Sequence, residues 1–162
     1  MTAPAGALEA QCLQNGYARA IDTRDWDYFR TLFTSDVVAE YPNDCFEGID
    51  AWLNYFVPFH DECAWIQHVM TNHVVGEDMD GIWGWCYGDV AWTHQDRPGL
   101  VNKAKTVYRD RLRDQHGTLR IYRRQCHLIA SQFDIPIPES LCFPNSVLGL
   151  SRAAQSGMKG TN

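Results

Sequence analysis

The amino-acid sequence predicts an α+β fold in which N-terminal helices pack on one face of a strongly curved, antiparallel or mixed β-sheet. Apolar residues recur every three or four positions over roughly the first 60 residues, as they do in amphipathic helices. Long β-rich segments with alternating apolar and polar residues then follow one another. Between them, "GEDMDG" and "DQHG" carry the Gly and acidic residues of hairpin turns.

The first two helices are predicted at the start of the chain. An apolar stripe that includes Tyr17 indicates a helix over residues 6–22. Asp25 is a suitable N-cap for a second helix. The buried face of that helix includes Trp26 and Phe33, which are also candidates to line an apolar pocket.

The remaining elements follow in order. "VVAEYP" is expected to be a short strand that ends at Pro42, and "GIDAWLNYFVPFHDE" a third helix capped by Asp50 and ended or kinked by Pro58. Four long strands are predicted in "WIQHVMTNHVV", "GIWGWCYGDVAWTH", "KAKTVYRDRLRD" and "TLRIYRRQCHLIAS". Helices packed over a curved sheet enclose a cone, and its interior suits a small molecule.

The length and composition are those of one globular domain. The 162 residues are 45% hydrophobic and 21% charged, with six Trp, seven Tyr and seven Phe. Aromatic residues in such number fill a core, line an apolar pocket, or do both. We expect a single domain over residues 1–162, with a C-terminal arm from about 131 and a flexible tail from about 152.

Charge and cysteine usage exclude several classes of partner and site. A net charge of −6 argues against nucleic acid and anionic membranes as partners. The sequence has neither an apolar run of about 18 residues nor a signal-like start, so we expect a cytoplasmic protein. The scattered cysteines form no CxxC pair, and we expect reduced thiols that fill the core. They are Cys12, Cys45, Cys63, Cys86, Cys126 and Cys142.

Three segments in order carry a resemblance to a known family. "YARAIDTRDWDYFRTLFTSDVVAEY", "QHVMTNHVV" and "YRDRLRDQHGTLRIYRR" resemble SnoaL-like members of the NTF2-like superfamily, roughly from Tyr17 to Arg124. The resemblance implies the NTF2-like cone. It is less specific about function, because the superfamily contains dehydratases, isomerases, cyclases, dehydrochlorinases and non-catalytic subunits.

The catalytic pattern that the sequence resembles most is that of scytalone dehydratase, bile-acid dehydratase and hexachlorocyclohexane dehydrochlorinase. These enzymes share an Asp at the end of the first helix and a His on the first long strand, which match Asp22 and His68. By the same resemblance, His94 matches a second pocket histidine, and Tyr41 and Tyr17 match pocket tyrosines. Scytalone itself is not implied as the substrate, because Ile21 replaces a tyrosine of that enzyme and its polar pair on the third long strand is also changed.

The implied chemistry is proton abstraction by an imidazole. A neutral histidine has an ordinary pKa of about 6.5 and is a good base near neutral pH. In this interpretation His68 is the base, and Asp22 fixes its tautomer and stabilises the imidazolium. Tyr17, Tyr41 or His94 would stabilise an enolate or protonate a leaving hydroxyl.

Structural alternatives accompany each of these residues. Asp22 could be a surface acid, and His68 a hydrogen-bonded core histidine. Five positions separate Tyr17 from Asp22, which places them about 140° apart on an ideal helix. Both then face the cavity only if the helix ends near Ile21. His94 could lie at a rim, and the tyrosines could be packed aromatics.

Strand periodicity adds candidate substrate contacts. Period two places His68, Met70 and Asn72 on one face of their strand and His73 on the opposite face. On a later strand Tyr108 shares the inward face with its period-two neighbours. We therefore include Met70, Asn72 and Tyr108 among the predicted substrate-binding residues. Arginine-rich segments around Arg124 are expected to be solvated or interfacial, with cross-strand charge pairs.

Cofactor sites are not predicted. The sequence has no HxH or HExxH spacing, no Gly-rich phosphate loop and no GxSxG elbow. We therefore expect neither a metal nor an organic cofactor. The alternation of Trp83, Trp85 and Tyr87 favours a homodimer or homotrimer formed through the open face of the sheet.

The sequence thus predicts a lyase of the dehydratase type, or an isomerase, that acts on a small apolar substrate, polycyclic compounds included. One alternative is the non-catalytic small (beta) subunit of an aromatic-ring-hydroxylating dioxygenase, which the later strands also resemble. A protein that binds a small ligand without turnover is another.

Overall fold

The fold is that of a computed structural model, which describes residues 6–137. The helices are α1 Ala7–Thr23, α2 Trp26–Leu32 and α3 Ile49–Asp61. The strands are β1 Phe33–Glu40, β2 Cys45–Glu47, β3 Cys63–Asp78, β4 Gly81–His94, β5 Leu100–Gln115 and β6 Thr118–Pro136. They form one six-stranded sheet in the order β2-β1-β6-β5-β4-β3. Only the β1–β6 pair is parallel among these strands. The predicted α+β class, with helices followed by an antiparallel meander, is confirmed.

The junction between α1 and α2 explains why two acidic residues lie close together there. Arg24, in the left-handed conformation with φ 59°, ends α1 by donating its backbone N–H to carbonyls of the last turn. Asp25 then caps α2, because its carboxylate accepts the backbone N–H of Tyr28 at 3.0 Å. The prediction for Asp25 is confirmed. The helix predicted over residues 6–22 is confirmed to within one residue at each end, and its continuation to Thr23 means that it does not end near Ile21.

The third helix begins and ends differently from the prediction. Its N-cap is Gly48, whose φ of 89° favours glycine. Asp50 pairs instead with Arg30 on α2 at 2.6 Å. Pro58 lies inside the last turns, and the helix continues past it to Asp61.

A bulge in β3 changes which of its side chains face the helices. Between Thr71 and Val74, β3 contains one residue more than β4 does opposite, and Asn72 takes a φ of 56° there. The extra residue reverses the alternation of side chains beyond it. Asn72 is therefore exposed, while His73 turns inward. The predicted orientation of these two residues was wrong because strict period two ignores a bulge.

The end of β6 and the cysteines correct two further expectations. β6 stays paired with β5 as far as Pro136, so residues 131–136 belong to the sheet, and most of the predicted arm and tail lies outside the described residues. Within residues 6–137 the cysteines are free thiols, but Cys12 and Cys45 are exposed and do not fill the core. Cys142 lies outside the described range.

No helix in residues 6–137 combines the length and hydropathy that crossing a membrane requires.

An aromatic core lies between the helices and the inner face of the sheet, which we define as the face toward them. Ring centroids of neighbouring members are 4.9–6.3 Å apart. Its members are Tyr17, Phe29, Phe33, Trp52 and Phe56. This core holds α1 and α3 against the sheet. Two of its members, Tyr17 and Phe56, also line the cavity described below.

Gly88 on β4 leaves room for two side chains on β5, and we expect Gly88→Ala to destabilise the protein. An added Cβ would lie 2.5 Å from Tyr108 Cε2 and 2.6 Å from Thr106 Oγ1. Overpacking of this kind costs about 1–3 kcal/mol of unfolding free energy. Urea denaturation measures the loss, with Gly99→Ala as the control because an added Cβ there has no atom within 4 Å. Equal losses in the two variants would contradict the expectation.

Candidate active site

The structure brings Asp22 and His68 into direct contact. Asp22 lies in the last turn of α1, and His68 lies on β3. The imidazole Nδ1 is 2.7 Å from Asp22 Oδ1, and the backbone N–H of His68 donates to Oδ2 at 3.0 Å. A carboxylate can only accept here, so Nδ1 carries the proton, and in the neutral ring Nε2 keeps a lone pair. That tautomer is the one a general base requires.

The topology explains how Asp22 reaches His68. β3 is the last strand of the sheet, so alternate backbone N–H groups on its outer side have no strand partner. α1 lies along β3, and Asp22 accepts one of these N–H groups together with the imidazole. The side chains of His68 and Asp22 are only 5% and 15% exposed. Because Asp25 caps α2, Asp22 is left for this contact.

A cavity of about 310 Å³ opens in front of His68. Aromatic and aliphatic side chains from α3 and the inner face of the sheet form most of its wall. Its polar groups include Tyr17, Tyr41, His60, His68 and Tyr108. An apolar pocket with a few converging polar groups is the usual form of a small-molecule site.

The cavity tyrosines form a cluster of protonated phenols. The hydroxyls of Tyr17 and Tyr41 are 3.1 Å apart, and the ring of Tyr108 packs edge-on against Tyr17 at 5.5 Å. Burial raises the pKa of Tyr17 to about 12, and it also raises the pKa values of Tyr41 and Tyr108 well above the usual range. These hydroxyls therefore stay protonated near neutral pH and can donate hydrogen bonds to a ligand oxygen.

A buried ion pair lies behind the tyrosines. Arg124 Nε and Nη2 each donate to Asp110 at 2.7 Å, and both side chains are fully buried. Burial opposes the charge of Arg124, yet the carboxylate of Asp110 keeps the pKa of the guanidinium above its usual value. The guanidinium carbon lies 4.0 Å from the ring centroid of Tyr17. The prediction that this arginine segment is solvated or interfacial is wrong at Arg124, and a positive charge supports the Tyr17 ring from behind.

The side-chain amide of Gln14 links the Asp110–Arg124 ion pair to His73 on β3. Gln14 Nε2 donates to Asp110 Oδ2 at 3.0 Å, and Gln14 Oε1 accepts a hydrogen bond from His73 Nδ1 at 2.7 Å. His73 was predicted to face away from the helices. The β3 bulge turns it inward and gives it this partner.

Trp26, Phe33 and Met70 were predicted to contact substrate, but they are not among the residues that line the cavity. Phe33 is buried beneath Tyr17, and Trp26 packs against His60 with ring centroids 5.7 Å apart. Met70 packs half-buried against the core. All three therefore pack in or against the core behind the cavity wall. Sequence periodicity predicts that a side chain faces inward, but it does not predict whether that side chain reaches the cavity surface.

His94 and Asn72 also lie outside the cavity lining. His94 ends β4, and its Nε2 accepts a hydrogen bond from the indole of Trp92 at 3.3 Å. Its ring is 6.2 Å from that of Phe59, which lines the cavity, so His94 lies near the wall rather than in it. Asn72 is exposed in the β3 bulge.

Sequence reasoning missed His60, although the spacing of α3 indicated it. Trp52, Phe56 and His60 follow one another at i, i+4 and i+8, and all three are buried. His60 lines the cavity, and its Nδ1 lies 2.6 Å from the backbone carbonyl of Phe56. Burial lowers the pKa of His60 to about 3, so the ring is neutral near neutral pH.

The sequence also contains a feature that predicts the burial of Arg124. Asp110 shares the period-two inward face of Tyr108, and an inward acid needs a cation on a neighbouring strand. Arg124 is its register partner on β6. Strict alternation from the buried Ile121 would place Arg123, not Arg124, on the inner face. A register shift near Leu112 and Ile121 reverses this order, so Arg124 faces inward.

Two larger depressions, of about 560 and 650 Å³, lie on the outer face of the sheet. Their walls hold mostly charged and long polar side chains of the central strands, with Trp83 and Trp85 in the smaller one. They lack the aromatic enclosure of the inner cavity, and we place the chemistry inside. Within residues 6–137 no three His, Cys, Asp or Glu side chains converge as a metal-binding group would.

Comparison with known proteins extends these observations. The profile of a family described as the SnoaL-like domain matches residues 7–125. No curated protein matches the chain at a significant level. A protein from Novosphingobium aromaticivorans that has been proposed to be an aromatic ring hydroxylase is 20% identical; the match covers 82% of this chain and 96% of that one, with a TM-score of 0.73.

Two further structures are similar. A proposed scytalone dehydratase from the same organism is 16% identical, with coverage of 82% and 87% and a TM-score of 0.69. A hexachlorocyclohexane dehydrochlorinase of type 2 is 14% identical, with coverage of 88% and 96% and a TM-score of 0.70. At these identities the similarities establish the fold and assign no activity.

Proposed function

Since the chain belongs to the SnoaL-like domain family of the NTF2-like superfamily, we propose that it is a cofactor-independent lyase of the dehydratase type, or an isomerase. The observation that carries this proposal is the Asp22–His68 contact at 2.7 Å beside an apolar cavity. His68 has the tautomer of a base, and the cavity offers room for one small molecule in front of it.

The proposed reaction begins when His68 Nε2 removes a proton from a carbon next to a carbonyl. The imidazolium that forms is stabilised by Asp22, which already accepts its Nδ1 proton. The electron pair moves to the carbonyl oxygen. The hydroxyls of Tyr17 and Tyr41 share one hydrogen bond, and the one that accepts it keeps its own proton to donate to this oxygen. In an elimination the pair then returns and expels the β-hydroxyl, which leaves as water with the proton that His68 Nε2 has just removed. In an isomerisation His68 returns that proton to a different carbon.

The shape of the cavity supports a small and largely apolar substrate, bicyclic or polycyclic skeletons included. Its wall is mostly formed by aromatic and aliphatic side chains, and His68 is one of its few polar groups. Water exclusion also strengthens the hydrogen bonds to a developing oxyanion, since the local dielectric constant is low.

The test is a panel of cyclic β-hydroxyketones, monitored by mass spectrometry and by absorbance of the conjugated product. We expect the wild-type protein to accelerate loss of water or a double-bond shift for a member of the panel, and His68→Gln to abolish that acceleration. His94→Gln is the matched control, because His94 lies outside the cavity lining, and it should retain the activity. Equal rates for wild type and His68→Gln would remove the mechanism.

A second candidate is a non-catalytic subunit of an aromatic-ring-hydroxylating dioxygenase. It is favoured by the similar structure that has been proposed to be an aromatic ring hydroxylase. In that role the Asp22–His68 contact would only hold α1 on β3. Purification with a larger partner chain, and a panel in which His68→Gln changes nothing, would favour this candidate.

The outer face of the sheet supports self-association in either role. Tyr87 and Val74 are 40% and 49% exposed there, and Trp85 packs against Tyr87 at 4.6 Å. We propose that the aromatic patch of Trp83, Trp85 and Tyr87 on this face pairs with another copy in a homodimer or homotrimer.

A further inference from the structure

We propose that His60 is a substrate-binding residue that accepts a hydrogen bond from a hydroxyl group of the substrate. The inference rests on the proposed function for the identity of the cavity as a substrate site. It adds a substrate class: a small apolar skeleton with a hydroxyl that points toward α3, in addition to the group that reacts at His68.

The helix fixes the tautomer of His60. Its Nδ1 lies 2.6 Å from the carbonyl of Phe56, one turn earlier in α3. A carbonyl oxygen can only accept, so Nδ1 carries the proton and donates it. Nε2 is thereby left with a lone pair, and it forms no hydrogen bond to any side chain or backbone group between residues 6 and 137.

The side chain of His60 borders the cavity. His60 lines the cavity although the residue is only 4% exposed. Between residues 6 and 137, some buried side-chain nitrogen and oxygen atoms have neither a hydrogen-bond partner nor accessible surface. All of them belong to residues other than His60. They are Trp26 Nε1, Thr34 Oγ1, Trp52 Nε1, Thr93 Oγ1 and Arg124 Nη1. His60 Nε2 is not among them, and the cavity is the open space that borders His60.

The surroundings of His60 restrict it to one role. Phe56 and Phe59 pack against the ring with centroids 4.7 and 5.1 Å away, and His68 is near enough for its charge to disfavour a second one. Since burial lowers the pKa of His60 to about 3, Nε2 stays unprotonated near neutral pH. It can accept a hydrogen bond but cannot supply a proton, so it does not serve as a general acid.

Trp26 offers the competing explanation. Its indole N–H is buried without a partner, and its ring centroid is 5.7 Å from that of His60. A small movement could pair the indole with His60 Nε2 and leave no role for a substrate. The binding experiment separates these two possibilities.

The experiment compares 2-naphthol with 2-methoxynaphthalene by isothermal titration calorimetry. The two probes share a bicyclic skeleton, and only the naphthol can donate a hydrogen bond. We expect the wild-type protein to bind 2-naphthol about 5- to 10-fold more tightly than the ether, the usual effect of one net hydrogen bond. His60→Phe should abolish the preference, and His60→Gln should retain part of it, because the amide oxygen still accepts. His94→Phe is the control and should bind as the wild type does.

Equal affinity of the wild type for the two probes, or an unchanged preference in His60→Phe, would overturn the inference and favour the pairing with Trp26. Neither probe undergoes elimination, so the result does not depend on turnover. A hydroxyl preference in His68→Gln supports the role of His60 even if no dehydration is found. Conversely, turnover without any preference would leave the proposed function standing and remove this inference alone.

Discussion

Asp110→Asn is expected to lower the free energy of unfolding by about 3–5 kcal/mol, because it leaves the buried guanidinium of Arg124 without a counter-charge. Asp110 accepts both donors of that guanidinium and the amide of Gln14, all inside the core. Solvent cannot take the place of the carboxylate, since both side chains of the pair are 0% exposed. The loss should also loosen Tyr17, whose ring rests on the guanidinium.

Urea denaturation monitored by tryptophan fluorescence measures this loss. Asp89→Asn is the matched control, because Asp89 forms an ion pair with Lys105 at the same 2.7 Å distance but with both side chains more than half exposed. An exposed pair contributes little, so this variant should remain close to the wild type. Similar stabilities for the two variants would show that the Asp110–Arg124 pair does not hold the core together.

The second large effect is expected on turnover. Asp22→Asn should reduce kcat on a responsive substrate by about 10²- to 10⁴-fold, in the range of general-base catalysis. An asparagine amide can donate to Nδ1, which moves the imidazole proton to Nε2 and blocks the base. The fold should survive, because asparagine retains an oxygen that can accept the backbone N–H of His68.

The double variant Asp22→Asn/His68→Gln sharpens this prediction. Residues that act as one unit are not additive, so the double variant should be no slower than His68→Gln alone. Asp25→Asn is the control three residues away, since asparagine caps a helix as well as aspartate does. Wild-type kcat in Asp22→Asn, or strictly multiplicative losses in the double variant, would contradict the assignment of a dyad.

Local sequence signals predicted most of the fold. The Asp25 cap and the two hairpin turns depend on neighbouring residues alone, and the structure contains all three. Bulges depend instead on the register between strands, which no single segment contains. For this reason the predicted positions of His73, beside the bulge near Asn72, and of Arg124, beyond the register shift near Ile121, were wrong.

The candidate site was only partly accessible to sequence reasoning. Periodicity alone placed His68 on an inward face, but its pairing with Asp22 came from resemblance, since 46 residues separate them. His60 follows Trp52 and Phe56 on the buried face of α3, and this spacing alone does not distinguish a cavity residue from a core residue. The depth of a side chain within the wall depends on three-dimensional packing, and this is why Met70 and Trp26 were misplaced.

Solvent-deuterium exchange into a ketone that lacks a leaving group is the sharpest test of whether His68 acts as a base. 2-Tetralone is a small bicyclic ketone with exchangeable protons next to its carbonyl, so it reports proton abstraction without elimination. In D₂O, we predict that the wild-type protein accelerates deuterium incorporation above the buffer rate and that His68→Gln does not. An acceleration that persists in His68→Gln, or none in the wild-type protein, would contradict the assignment of His68 as the base.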